Sequence, residues 1–358
     1  MRILVTGCCG FVGSRLLASL TRFRTEGRAE IELLGMDNIS RPGSELNRQL
    51  AQSHCQRFWH GDLRMASDLE PLPRVDWVID ASANPSVLAG GAGQATSRQL
   101  MENNLLATLN LLEFCKQHQA GFVLISSSRV YSVPAMRQIR LQAVDDQLKP
   151  QADELGRGYS AEGLTEEFST EPPLSLYGAS KLASETLALE YAAAFGFPIW
   201  VDRCGLLAGA GQFGRSDQGI VAFWIHSWFE RRPLRYIGFE GLGRQVRDCL
   251  HPEDLAELIW LQMTHRPGTA RRVFNVAGGS SHRFSLAELS RWCAARWGQR
   301  DVGREPADRP GDVPWLILDS RPAREAFAWQ PRISRHEIFE QIAQHAEQHP
   351  QWTQCAVD

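Results

Sequence analysis

A chain of 358 residues with 43% hydrophobic content, 22% charged content and a formal net charge of −3 can bury one large core or two moderate ones. That near-neutral balance leaves no electrostatic footprint for nucleic acid or an anionic membrane, and no apolar run is long enough to span a bilayer. Eight cysteines without metal-ligand spacing read as reduced, structural thiols, and the chain starts directly on its first strand with no room for a signal peptide. A cytoplasmic protein without a metal site is expected.

The first fifteen residues, MRILVTGCCGFVGSR, organise the rest. Ile3, Leu4 and Val5 form an apolar run of strand type, and Gly7, Gly10 and Gly13 follow at three-residue intervals. A helical pattern of Phe11, Val12, Leu16, Leu17 and Leu20 begins among the glycines. A strand that turns through glycines into a helix turns backbone N–H groups outward, where a pyrophosphate can bind. The next strand, Ile31 to Met36, is followed by Asp37, placed to accept hydrogen bonds from an adenosine ribose. Its charge would repel a 2′-phosphate, which favours NAD over NADP, with Arg41 the nearby cation that could offset the repulsion.

Further strands are expected at Gln56 to Trp59, ending in Gly61-Asp62-Leu63, and at Val75 to Ala81. A small-residue loop runs from Ser82 to Gly93, a helix from Leu100 to Gln117, and another strand from Phe122 to Ile125, ending in Ser126-Ser127-Ser128. Strands alternating with helices imply βαβ units and a parallel sheet covered on both faces. The pattern breaks between Val133 and Pro173, an acidic stretch too long for an ordinary connection. It reads as an active-site cover or a partly disordered insertion. Order returns with a helix from Tyr177 to Phe195 and a strand from Ile199 to Asp202. Beyond residue 204 the alternation stops. A helix near Gly219 to Arg231, strands at Leu234–Ile237 and Val273–Val276, and helices near Ser285–Trp297 and Ser334–His349 suggest a smaller second domain. The expected architecture is α/β: a Rossmann-type doubly wound sheet over 1–203, with the 133–173 insertion near the site. A C-terminal α/β domain over 204–358 follows, with some segments crossing back.

Tyr177 and Lys181 lie four residues apart on one helix, so phenol and ammonium share a face. A nearby Lys⁺, and the positive nicotinamide of NAD⁺, should lower the tyrosine pKa toward operating pH. Ser127, at the carboxyl end of a strand, would add a second hydrogen bond to a reacting oxygen. Elsewhere the bland readings are preferred: His251 and Asp254 as a helix start, Cys204 as a buried thiol, and the eleven tryptophans as core, with Trp224 or Trp228 the candidates for facing a base.

Taken in order, GCCGFVG, MDN, GDLR, the turn at Ala81–Ala83, Asn104 in NLLATLNLLE, SSSRVY and YGASK resemble the extended short-chain dehydrogenase/reductase superfamily, the NAD-dependent nucleotide-sugar epimerases and dehydratases. Within it, the runs at 206–219, 243–255 and 273–289 are most similar to the CDP-tyvelose (CDP-paratose) 2-epimerase group. The resemblance implies catalytic roles for Ser127, Tyr177 and Lys181. It implies cofactor contacts from Gly7, Gly10, Phe11, Val12, Gly13, Asp37, Asn38, Asp62, Leu63, Ala81, Ser82, Ala83 and Asn104, besides Tyr177 and Lys181. Substrate contacts would come from Ser128, Arg129, Arg203, Gln212, Gln218, Arg247 and Arg309, with Arg247 and Arg309 holding a CDP diphosphate. Family members that dehydrate carry an Asp-Glu pair directly after the catalytic hydroxyl residue; here Ser128 and Arg129 stand there, so C2 epimerisation of a CDP-hexose or CDP-deoxyhexose is expected. The alternatives are a UDP-sugar 4-epimerase, a net oxidoreductase and a non-catalytic NAD-sensing regulator. The helices at 100–117 and 178–195 are rich in alanine and leucine, which suits the seam of a homodimer or homotetramer.

Overall fold

The computed structural model describes residues 1–86, 96–151, 156–215, 218–265 and 269–354. Its centre is a seven-stranded sheet. β1 (Arg2–Thr6), β2 (Glu32–Asp37), β3 (Arg57–His60), β4 (Trp77–Asp80) and β5 (Gly121–Ser127) are joined by the strands Ile199–Cys204 and Val273–Val276. Every pairing is parallel, in the spatial order 273–276, 199–204, β5, β4, β1, β2, β3. The order reverses beside β1, between β1 and β4, and ligands bind outside the carboxyl ends of strands at such a point.

Both faces are apolar, as a parallel sheet requires. On one face Ile3, Val5, Val123 and Phe274 pack with Leu16, Leu20 and Phe23 of α1 (Phe11–Thr25) and with Leu255 and Ile259 of the helix Pro252–Thr264. On the other, Leu4, Val78, Phe122 and Val201 meet Leu111, Leu112 and Cys115 of the helix Ala107–His118 and Ala188 and Ala192 of the helix Leu176–Phe195. The expected helix at 100–117 is one rod with a wide π turn over Glu102–Leu106 between two α segments.

Two parts of the second half cross back. The strand Val273–Val276, read from the sequence as part of a smaller domain, is an edge of the main sheet. The helix Pro252–Thr264 packs on α1, its start fixed by His251, whose Nδ1 accepts from the Glu253 amide. The remainder forms its own core around Trp224, Trp228, Phe284, Leu289, Ile338 and Phe339. There the strand Val246–Leu250 pairs with Leu206–Leu207, Arg283–Ser285 and Trp315–Leu316.

The described part of 133–173 is neither a cover nor loose. It holds the short helix Val133–Arg137 and two antiparallel hairpins, at 141–150 and 159–164. Met136, Ile139, Leu164 and Phe168 are buried against Tyr131, Trp315 and Leu318, and Glu166 pairs with Arg271. Acidic composition concealed apolar residues spaced widely enough to seal a second small core. Part of the small-residue loop expected at Ser82–Gly93, from 87 on, lies outside the described residues, as do Asp153 and Glu154.

Candidate active site

A single cleft of about 500 Å³ runs along the carboxyl ends of the strands, from the glycine turn to the second-half core. At one end β1 turns at Gly7, whose φ is +62°, and a Cβ there would stand 2.8 Å from the Ala81 carbonyl oxygen. A Cβ on Gly13 would lie 2.2 Å from the Gly7 oxygen, so that glycine lets α1 sit directly on the turn. Gly10 caps the start of α1 without a side-chain hydrogen bond, and the first turn holds no acidic residue, which leaves its N–H groups and positive dipole end open to an anion. Phe11, Val12, Ala81, Ser82 and Ala83 also line this end.

Asp37 closes β2 and lines the cleft; its carboxylate accepts from the amides of Cys9 at 2.8 Å and Ile39 at 2.7 Å. Burial pushes its pKa up, against those hydrogen bonds. Arg41 donates to the Gln218 side chain, and both residues line the cleft. Asn38 lines the cleft and donates to Asp62 at 3.2 Å. Asp62 and Leu63, expected among the cofactor contacts, do not line it. The Asp62 carboxylate is forked by Arg64, which holds its pKa down to about 2, and Leu63 is buried.

At the centre stand Ser127, Tyr177 and Lys181. The tyrosine helix begins at Leu176, capped by Ser175, whose Oγ accepts from Gly178 at 3.0 Å. A Cβ on Gly178 would fall 2.1 Å from the Arg129 carbonyl oxygen, so this glycine lets the first helical turn close on the backbone just past Ser127. Ser127 Oγ accepts from the Arg129 amide at 3.2 Å and faces the tyrosine hydroxyl. Lys181 is buried and donates to the Ile125 carbonyl at 3.0 Å. The expected depression of the tyrosine pKa is not found in the protein alone. Burial raises it, and Ser127 and Arg129 pull it partly back. Burial likewise lowers the Lys181 pKa, opposed by Asp80, Cys204 and Glu185.

At the far end Ser128, Arg129, Gln212, Gln218, Trp224, Gln245, Arg247 and Arg309 line the cleft. Burial, and after it the nearby Arg247, lower the Arg129 pKa to about 10, and burial lowers that of Arg247 against the pull of Asp312 and Asp248. Arg247 is paired with Asp312 at 2.8 Å, and Arg129 donates to the Gly311 carbonyl at 2.7 Å. The Gln245 amide donates to the Ile237 carbonyl at 2.6 Å and the Gln212 amide to the Leu207 carbonyl at 2.9 Å. Each leaves its Oε1 buried without a protein partner. Trp224, not Trp228, lines the cleft, stacked on Tyr236 with centroids 5.4 Å apart.

Two expected contacts are engaged elsewhere. Arg203 forks the Glu185 carboxylate at 2.8 Å and lies over the Tyr131 ring; neighbouring strand residues point oppositely, and Cys204 is the one that faces the cleft. Asn104 stands behind the site. It donates to Ser180 at 3.0 Å and accepts from the Asn84 amide at 2.8 Å, tying the tyrosine helix to the loop after β4. The sequence reading missed two organisers. Asp80 ends β4 and accepts from Thr6 and Ser82, and Glu185 accepts from Ser126 as well as Arg203. The i, i+4 and i, i+8 spacing of Tyr177, Lys181 and Glu185 was the available signal for the second.

Such a sheet, with a glycine turn after its first strand, an acidic end to its second and a Tyr–Lys pair across the cleft, defines a dinucleotide-binding α/β protein. The uncapped helix start, with no acidic residue in its first turn, fits the cofactor's pyrophosphate. The chain belongs to the NAD dependent epimerase/dehydratase family, whose profile matches residues 3–277, and NAD is its cofactor. It is 29% identical over 354 residues to the CDP-paratose 2-epimerase of Salmonella typhi, covering 93% of this chain and 96% of that one. It is 28% identical over 341 residues to the dTDP-glucose 4,6-dehydratase of Streptomyces niveus, covering 93% and 89%. The crystal structure of Thermus thermophilus UDP-glucose 4-epimerase with NAD matches with a TM-score of 0.75 at 23% identity, covering 97% and 99%. Among the described residues, no helix is long and apolar enough to cross a membrane.

Proposed function

We propose that this protein epimerises a nucleotide sugar, a CDP-hexose or CDP-deoxyhexose, at C2. The observation that carries the reading is the union in one cleft of Ser127, Tyr177 and Lys181 with the buried guanidinium groups of Arg129 and Arg247. A planar guanidinium holds a diphosphate through paired hydrogen bonds, so these arginines would tether the sugar while its ring turns over. NAD, when bound, supplies the capacity to take a hydride from a sugar carbon and to return it. The Tyr177 phenolate takes the proton from the sugar hydroxyl and later returns it, Ser127 shares the hydrogen bond to that oxygen, and Lys181 offsets the phenolate charge while the proton is away. Phenolate in so dry a site needs that cation. Elimination of water would need an acid and a base beside Ser127, and Ser128 and Arg129 supply neither, which favours epimerisation over dehydration.

The choice of CDP over UDP rests on the similarity to the Salmonella enzyme and on Gln245. Its amide nitrogen is turned to a carbonyl, so the side chain offers an oxygen, which suits the exocyclic amine of cytosine and not the oxygen of uracil. Leu106 and Phe195, on the two helices packed over the second sheet face, are exposed apolar side chains that a homodimer seam would cover.

The test is incubation of the protein with CDP-glucose and CDP-paratose in D₂O, read by proton NMR, with bound dinucleotide measured after denaturation. A C2 epimer without deuterium at that carbon supports internal hydride return. Deuterium at C2 would overturn the mechanism in favour of deprotonation beside a carbonyl. Conversion of UDP-sugars alone would move the reading to a 4-epimerase.

A further inference from the structure

Below the ribose end of the cleft sits a group of side chains that hydride exchange does not use. Cys8 and Cys9 fill the two positions between Gly7 and Gly10, and both are fully buried. Their sulfurs and a carboxylate oxygen of Asp37 lie within 4.8 Å of one another. A third thiol, Cys55, arrives from the end of the helix Arg48–His54. The sulfurs of Cys8 and Cys55 both come within 3.0 Å of the point where a Cβ on Gly35 would stand. Gly35 lies in the middle of β2 with backbone any residue could adopt, so its missing side chain provides space, and sulfur fills it. All these cysteines are free thiols.

Zinc–sulfur bonds of about 2.3 Å and zinc–oxygen bonds of about 2.0–2.2 Å set tetrahedral ligand atoms roughly 3.3–3.9 Å apart. Donor atoms already within 4.8 Å reach that arrangement by shifts of about an ångström. Soft sulfur donors select thiophilic cations over magnesium or calcium. We propose that Cys8, Cys9 and Asp37, with Cys55 as a fourth donor, form a site for a thiophilic divalent cation such as Zn²⁺ or Cd²⁺, and that its occupation excludes the dinucleotide. Metal–sulfur and metal–oxygen bonds form, the thiol protons pass to solvent, and no electrons are transferred. Exclusion follows because the carboxylate that would take the ribose hydroxyls becomes a metal ligand. Its hydrogen bond from the Cys9 amide also couples any movement of Asp37 to the glycine turn.

The test is titration of the dinucleotide-stripped full chain with Cd²⁺, followed by the ultraviolet sulfur-to-cadmium charge-transfer band and by NAD affinity. A single cadmium per chain, with NAD affinity falling about tenfold or more and the reciprocal loss of cadmium affinity in NAD, is the expected result. Cys9→Ser and Cys55→Ser should each weaken the band and lower cadmium affinity, and Cys293→Ser, at a remote buried thiol, should change neither. A band at full strength in Cys9→Ser, or saturating cadmium that leaves NAD affinity intact, would overturn the proposal. Should Cys9→Ser fail to fold, cadmium NMR of the unaltered protein decides: a shift typical of oxygen and nitrogen donors alone would refute thiolate ligation.

Discussion

The two ends of the cleft are built differently. The dinucleotide end comes from neighbours in sequence: Gly7, Gly10 and Gly13 lie within seven residues, and Asp37 ends the adjacent strand. Its fit is enforced by backbone against backbone, where a single Cβ would collide. The sugar end is assembled from Ser128, Arg129, Gln212, Gln245, Arg247 and Arg309, spread over 182 positions and held by side-chain pairing. A family can therefore keep one cofactor and change sugars, because the first end tolerates almost no substitution while the second can be altered one side chain at a time.

Substitutions can break or sharpen this contrast. The largest effect belongs to the junction of the two ends. Tyr177→Phe should lower turnover by about 10²–10⁴-fold in an epimerisation assay while bound NAD and the melting temperature stay near those of the unaltered protein. Gly13→Ala should strike the dinucleotide end alone. With a methyl 2.2 Å from a carbonyl oxygen, bound NAD should be lost and stability reduced by about 1–3 kcal/mol, read by cofactor release and thermal melting. Arg247→Met should strike the sugar end alone, raising KM for the nucleotide sugar by about ten- to a hundredfold and leaving bound NAD unchanged. Gln245→Leu should be milder, narrowing the preference for CDP over UDP by about three- to tenfold in competition binding.

The smallest effect lies outside the cleft. Asp202 is wholly buried in the sheet, accepting from Gln262 at 2.7 Å, and burial pushes its pKa up to about 7. An ordinary carboxylate titrates near 3.9, so the native state binds the proton more tightly than the unfolded chain. That stabilisation is complete below about pH 4 and is lost as pH rises through about 7. Asp202→Asn should flatten part of the fall in melting temperature between pH 5 and 8; an unchanged slope would assign the effect to other raised carboxyls, such as Asp248 at about 7 and Asp254 at about 6.

The strands, the glycine turn and the Tyr177–Lys181 pair are legible in sequence because their signals are local: apolar runs, fixed intervals, one helical face. What stayed hidden depends on partners far along the chain. Nothing near Arg203 announces Glu185, and nothing in an acidic stretch announces that Leu164 and Phe168 will meet Trp315. The tyrosine's raised pKa was equally out of reach, since the spacing of Tyr177 and Lys181 says which charges are near but not how dry the site is. Arg64 beside Asp62 was visible, and a two-residue fork was the clue that this carboxylate already had a partner.

The seventh strand has a consequence for how the chain comes into being. Six strands of the main sheet are complete by Cys204, but the edge they leave waits for Val273–Val276. An emerging chain therefore carries an open hydrogen-bonding edge, with the apolar flank of α1 uncovered, for the length of some seventy further residues. Cutting the protein just after Cys204 would make that passing state permanent, and the fragment should aggregate where the full chain does not.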